Sequence, residues 1–222
     1  MTRRRTPGAE LPAGAVLLFD LDGTLTDSNG FWDAAQRAFL ARRGLPCGQA
    51  YLRGTAYGTF QESAAFARAY WRLPESREAI MDEWMADVGA AYEHVTLKEG
   101  VSAFLERQAA AGRAMAVLTS AAPVHCRTAL ARTGIGGYFS RIFFVEEMGV
   151  GKTSPELYRV TAGLLGVPPE NCVCFEDSAA ACRSARAAGM RTVGVREGWF
   201  QDGAEMEKSC DRFIRDFRDL LI

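Results

Sequence analysis

An α/β fold, with a three-layer parallel sheet and an inserted helical segment, is expected from two features of this 222-residue sequence. Short continuous apolar runs recur along it, each ending in polar or acidic residues and separated from the next by helical stretches. Strands buried on both faces read as unbroken apolar runs, and parallel neighbours need crossover connections, so this alternation specifies a parallel sheet with helices on both sides. Between the first and second runs, residues 31–97 carry helical spacing and no convincing strand. That segment is too long for a loop and reads as a helical insertion.

The first run opens AVLLFDLDGTLTDS at Ala15: a short strand, then acidic residues and a glycine turn. The later strands are AMAVLTSA (114–121), RIFFVEE (141–147), NCVCFEDS (171–178) and RTVGVREG (191–198). In the insertion, one helix runs from about Phe31 to Arg43 and is stopped by Gly44 and Pro46, and a second runs from about Gln61 to Arg72. A third carries Ile80, Trp84, Val88, Tyr92 and Val95 at near-regular four-residue steps, with Pro74 and Glu75 near its start. Between the first two, YLRGTAYGTF reads as a glycine-rich loop. Three of the four tryptophans (Trp32, Trp71, Trp84) fall in the insertion, as suits a small bundle that builds its own core. The expected organisation is a tail over 1–14, a core of 15–30 and 98–222, and a helical unit over 31–97.

With 26 basic and 27 acidic side chains there is no net field to attract nucleic acid or an anionic membrane, which leaves a small molecule as the expected partner. No stretch reaches the roughly 18 apolar residues of a membrane span. The basic opening MTRRRTPGAELPAG lacks a following apolar segment, so it is read as a mobile tail and not a secretory signal. The six cysteines lack paired C-x-x-C spacing, and are expected as buried thiols of a cytoplasmic protein. A monomer is the default expectation.

Ligands of open parallel sheets bind beyond the carboxyl ends of the strands. Those ends carry Asp20 and Asp22, Thr119 and Ser120, then Glu176 and Asp177, with Lys152 a few residues past the third strand. GVGKTSPELY looks at first like a nucleotide-phosphate loop, but Glu146 stands where its first glycine is required, so Lys152 needs another role. Four carboxylates converging with one lysine call for a cation among them, and an all-oxygen donor set fits magnesium. His94 and His125 stand alone and offer no site for a softer metal. Asp20 and Asp22, two apart, can divide labour as covalent nucleophile and acid–base partner, and Gly23 allows the sharp turn after them.

DLDGTLTDS resembles the first signature of the haloacid dehalogenase superfamily of phosphatases and phosphomutases, D-x-D-G-T-[LV]-x-D-S. Thr119 of VLTSA, the lysine of GKTSPELY (similar to G-K-P-x-P-D-x-Y) and the acidic pair of FEDSAAACRSARAAGM follow in the superfamily's order, so the resemblance spans 15 to about 200. It implies a Rossmann-like core in which Asp20 is nucleophile and magnesium ligand. Asp22 is then general acid and base, with its backbone carbonyl on the metal; Thr119, Ser120 and Lys152 hold phosphoryl oxygens, and Glu176 and Asp177 complete the metal site. The insertion resembles the superfamily's helical cap, with Asp27–Gly30 and 96–100 as hinges. Thr153 and Glu156 depart from the usual proline and aspartate, but Ser154 and Pro155 still make a helix start.

Absences in the insertion bear on the reaction. Beta-phosphoglucomutases usually present a histidine where this chain has Trp32, and phosphonate-cleaving relatives use a cap lysine, whereas residues 31–97 contain none. Dehalogenating members lack the second aspartate, which is present here as Asp22. The expectation is a magnesium-dependent phosphatase acting on a small phosphorylated metabolite, with a phosphomutase or a non-catalytic phosphate-binding protein as alternatives. Arg43, Arg53, Arg68 and Arg72 offer cations to a substrate, Arg53 foremost because of its loop, and Trp32 is the second candidate for specificity.

Overall fold

The structure is a computed structural model that describes residues 11–55, 60–198 and 202–221. The tail expected over 1–14 therefore lies mostly outside the described residues; Leu11 and Pro12 are held by their carbonyls, which accept from the Arg113 guanidinium.

The chain runs β1 (Val16–Phe19), α1 (Asn29–Ala41), α2 (Gln49–Thr55), α3 (Phe60–Trp71), α4 (Arg77–Tyr92) and α5 (Val101–Ala110). It continues through β2 (Met115–Thr119), α6 (Pro123–Thr133), β3 (Arg141–Phe144), α7 (Val145–Met148) and α8 (Pro155–Leu164). The last elements are β4 (Cys172–Glu176), α9 (Ala179–Ala188), β5 (Arg191–Val195), α10 (Gly203–Ser209) and β6 (Arg212–Ile214). The six strands form one parallel sheet in the order β3-β2-β1-β4-β5-β6, with β1 at its centre. This is a Rossmann-like α/β architecture.

Alternation along the strands sorts the core into two layers. Val16, Leu18, Ala116, Leu118, Cys172 and Cys174 face α8 and α9, and pack with Leu157, Tyr158, Ala162 and Ala185. Phe19 and Phe175 point to the other face. There they stack at 4.6 Å and meet Phe104 of α5 and Phe217 of the final 3-10 turn.

Two compact units emerge: Met1–Ser28 with Val95–Ile222, and Asn29–His94. The second is the four helices α1–α4 around Phe39, Leu40, Tyr51, Leu52 and Trp84. Trp84, 1% exposed, meets Phe39 edge-on at 5.7 Å. Arg43 ties α1 to α4 through Glu83 (2.6 Å) and also reaches Glu75 (2.9 Å).

The structure departs from the sequence reading in several elements. YLRGTAYGTF is not simply a loop, because Tyr51–Thr55 belong to α2; Ala56–Thr59 lie outside the described residues. Gly54 is required there for closeness: a Cβ on it would collide with the Phe66 ring of α3. The third strand ends at Phe144, and Val145–Met148 coil into a single helical turn. The helix carrying Ile80, Trp84, Val88 and Tyr92 begins after Ser76, whose hydroxyl accepts from Ala79 N at 3.1 Å, and ends before Val95. β6 was not anticipated at all.

All six cysteines are free, and five of them are buried. Among the described residues no helix is long and apolar enough to cross a membrane.

Candidate active site

The site is built at the carboxyl edge of the central strands. Register Phe19↔Phe175 sets β1 level with β4, and Asp20 N donates to Phe175 O at 3.0 Å. Asp20 and Glu176 therefore emerge side by side, both nearly buried (6% and 2% exposed). Asp177 follows Glu176 and is half-buried. One carboxylate oxygen from each of Asp20, Glu176 and Asp177 lies within 4.8 Å of the others.

Lys152 sits just ahead of α8, which starts as the sequence suggested: Ser154 Oγ accepts from Glu156 N at 3.3 Å and Pro155 fills the first turn. The Lys152 ammonium donates to Asp20 Oδ1 and, at 2.6 Å, to Glu176 Oε1. Glu176 Oε2 accepts from Ser178 N at 2.9 Å. Asp20 Oδ2, in contrast, is buried with no hydrogen-bond partner.

Electrostatics follow from this crowding. Burial raises the Asp20 carboxyl to about 7, with Glu176 and Asp22 adding to the rise and Lys152 opposing it. Burial pushes Lys152 down, but Asp20 and Glu176 more than offset it, so the ammonium is held well above its ordinary value. An unpaired carboxylate oxygen facing two further carboxylates is suited to a small hard cation with oxygen ligands. The group is all carboxylate: Asp20, Glu176 and Asp177.

Asp22 is half-buried just beyond Asp20, and its side chain is not in the three-carboxylate group. The turn that sets it uses Gly23 at φ 81°, whose N–H donates to Thr26 O at 2.8 Å. Ser28 Oγ donates to Asp22 Oδ1 at 2.5 Å and lies 2.8 Å from Thr26 Oγ1. Ser28, unassigned in the sequence reading, closes the same DLDGTLTDS stretch, and its position there was the available signal. The return passage runs alongside: Asp27 N donates to Thr96 O and Lys98 N to Leu25 O, each at 3.0 Å.

The remaining sequence candidates are placed as follows. Thr119 ends β2, is 1% exposed, and its Oγ1 accepts from Ala121 N at 2.9 Å; Ser120 beside it is exposed. Trp32 is half-buried on α1, its ring 5.3 Å from Phe60. Arg53 is exposed on α2, which corrects its expected loop position. Arg43 is committed to Glu75 and Glu83, and Arg68 donates to Glu75 O at 3.0 Å, so both have internal partners. Arg72 stands at the end of α3 with φ 52°.

Comparison with known proteins agrees with this architecture. The family model for haloacid dehalogenase-like hydrolases matches residues 15–189. A phosphoglycolate phosphatase of Pectobacterium atrosepticum is 30% identical over 220 residues, covering 96% of this chain and 93% of that protein. Hexitol phosphatase A of Escherichia coli is 32% identical over 192 residues, with 80% and 81% covered. A crystal structure of a putative beta-phosphoglucomutase from Thermotoga maritima superposes with a TM-score of 0.78 at 23% identity, covering 93% of this chain and 97% of that one. The chain is an enzyme of the hydrolase class and belongs to the haloacid dehalogenase-like hydrolase family.

Proposed function

We propose that the protein is a magnesium-dependent phosphatase that hydrolyses a small phosphomonoester through an aspartyl-phosphate intermediate. The observation that carries this reading is Asp20: a buried carboxylate with one oxygen bound by Lys152 and the other unpaired, next to Glu176 and Asp177. The phosphatases among its relatives support the same class.

Asp20, Glu176, Asp177 and the Asp22 carbonyl would hold the cation, which when bound supplies charge neutralisation for Asp20 and the phosphoryl oxygens. An oxygen of Asp20 attacks phosphorus and the ester P–O bond breaks. Asp22 gives its proton to the departing alkoxide, so the alcohol leaves neutral. Asp22, now a carboxylate, takes a proton from water, whose oxygen attacks the phosphorus of the aspartyl phosphate. Inorganic phosphate departs and Asp20 is regenerated. Lys152 turns toward the phosphoryl oxygens, with Thr119 and Ser120 as further donors, because the transferring group spreads charge over three oxygens. Ser28 holds Asp22 in orientation. The helical unit, the counterpart of the family's cap, contributes specificity through Trp32 and Arg53.

The test is inorganic phosphate release from a panel of phosphomonoesters, with magnesium and with chelator. Magnesium-dependent release from at least one ester supports the reading. Interconversion of hexose phosphates without phosphate release would instead make the enzyme a phosphomutase.

A further inference from the structure

Tyr158 is a group at this site that the mechanism above leaves unused. It lies on α8 and is fully buried (0% exposed), and its hydroxyl has no hydrogen-bond partner. Buried hydroxyls are nearly always paired, so an unpaired one in a well-packed face calls for a reason.

Its neighbours indicate where the hydroxyl stands. Tyr158 shares one apolar cluster with Leu18 and Cys174. Side chains two apart on a strand share a face, so Leu18 lies one pleat below Asp20, and Cys174 one pleat below Glu176. Tyr158 therefore belongs to the face of the sheet that ends in Asp20 and Glu176. Burial holds the Tyr158 hydroxyl well above its ordinary value, with Cys174, Glu176 and Asp20 adding to the rise and Lys152 opposing it.

As the site stands, Lys152 is shared between Asp20 and Glu176 and satisfies Glu176 Oε1. Any ligand that draws the ammonium toward itself leaves that oxygen without its donor, on a residue that is only 2% exposed. Tyr158 offers a buried donor without a partner on the same face of the sheet. We propose that Tyr158 is a positioning residue: its phenol takes over the hydrogen bond to Glu176 when Lys152 turns to the phosphoryl group, and the unpaired hydroxyl seen here is the resting half of that exchange. The inference rests on the phosphatase reading for its ligand, but the pairing it describes belongs to the chain alone.

Tyr158→Phe removes the oxygen and keeps the ring. In the metal-free protein it leaves the melting temperature unchanged or raises it, because an unpaired buried group is lost. In a Lys152→Met background Glu176 has already lost its donor and the phenol is engaged, so the same substitution lowers the melting temperature. With inorganic phosphate present, magnesium affinity by calorimetry and kcat each fall roughly 10-fold in Tyr158→Phe, with KM for the ester little changed, as for a group that orients a ligand without touching substrate. A melting shift of the same sign in both backgrounds, with magnesium affinity and kcat unaltered, overturns the proposal and leaves the phosphatase reading intact. The reversal of sign in a protein that releases no phosphate keeps the Tyr158 exchange and removes the phosphatase.

Discussion

Asp20 N donates to Phe175 O at 3.0 Å, and this single bond carries the strand register to the point where the chemistry begins. Because Phe19 pairs with Phe175, the residues that follow them, Asp20 and Glu176, are delivered at one height from adjacent strands, and one lysine can bridge both. A register slip of one residue would turn Asp20 to the opposite face.

Lys152 sets one positive charge between two nearly buried carboxylates. Lys152→Met removes the ion pair with Glu176 and Asp20 and is expected to destabilise the metal-free protein by about 3 kcal/mol at neutral pH. Urea unfolding with and without magnesium measures this. Magnesium stabilises the variant more than the native chain, since it replaces the missing charge; equal stabilisation of the two would contradict the bridging role.

The raised pKa of Asp20 gives magnesium binding a pH dependence of known sign. Below about 7 the folded protein holds a proton on Asp20 that a cation must displace. Affinity for magnesium therefore climbs by about tenfold per pH unit up to neutrality and levels off above it. The metal-free fold shows the companion effect. The Asp20 carboxyl moves from 3.8 to about 7 on folding, so its contribution to stability is complete below 3.8 and is lost as pH rises through 7. Calorimetric titration of magnesium across that range checks the first effect, and a flat profile contradicts it.

Ser28 is expected to act through Asp22, which it binds at 2.5 Å. Ser28→Ala removes that donor and lowers kcat by about tenfold, the scale of one lost hydrogen bond. Ser28→Thr keeps a hydroxyl and restores most of the rate. Equal rates in Ser28→Ala and the native enzyme would show that Asp22 is oriented by other partners.

Stability of the helical unit depends on Trp84, which is 1% exposed and packs edge-on against Phe39. Trp84→Ala should cost about 3–5 kcal/mol. Protease susceptibility of Asn29–His94, followed with the tryptic map of the core, detects it; an unchanged pattern would mean the unit's interior re-packs around the loss.

Much of this molecule was legible in its sequence because the signals are local. Unbroken apolar runs marked the first five strands, and polar residues at their ends marked Asp20, Thr119 and Glu176. Four-residue spacing found α4 because its buried residues Ile80, Trp84, Val88 and Tyr92 keep one face. The misses have physical causes. The glycines of YLRGTAYGTF suggested a loop, whereas Gly54 lets α2 approach the Phe66 ring, a contact that spacing along the chain cannot reveal. The apolar run through Val145 hid the end of β3, since a strand and a buried helical turn read alike over a few residues. β6 has only three residues, too short for any period to register. Within the site, the residue types were readable but their partners were not: Lys152 is separated by 132 positions from Asp20, and only the sheet brings them together.

The most direct measurement compares magnesium-dependent phosphate release by the native chain and by Asp20→Asn on the best ester of a broad panel. The substitution keeps the shape of the side chain and removes its nucleophilic oxygen. The account predicts turnover in the native enzyme that requires magnesium and is lost in the variant by a factor of at least about 10³. Release that persists in Asp20→Asn at a comparable rate would contradict covalent catalysis by this aspartate, and with it the central claim.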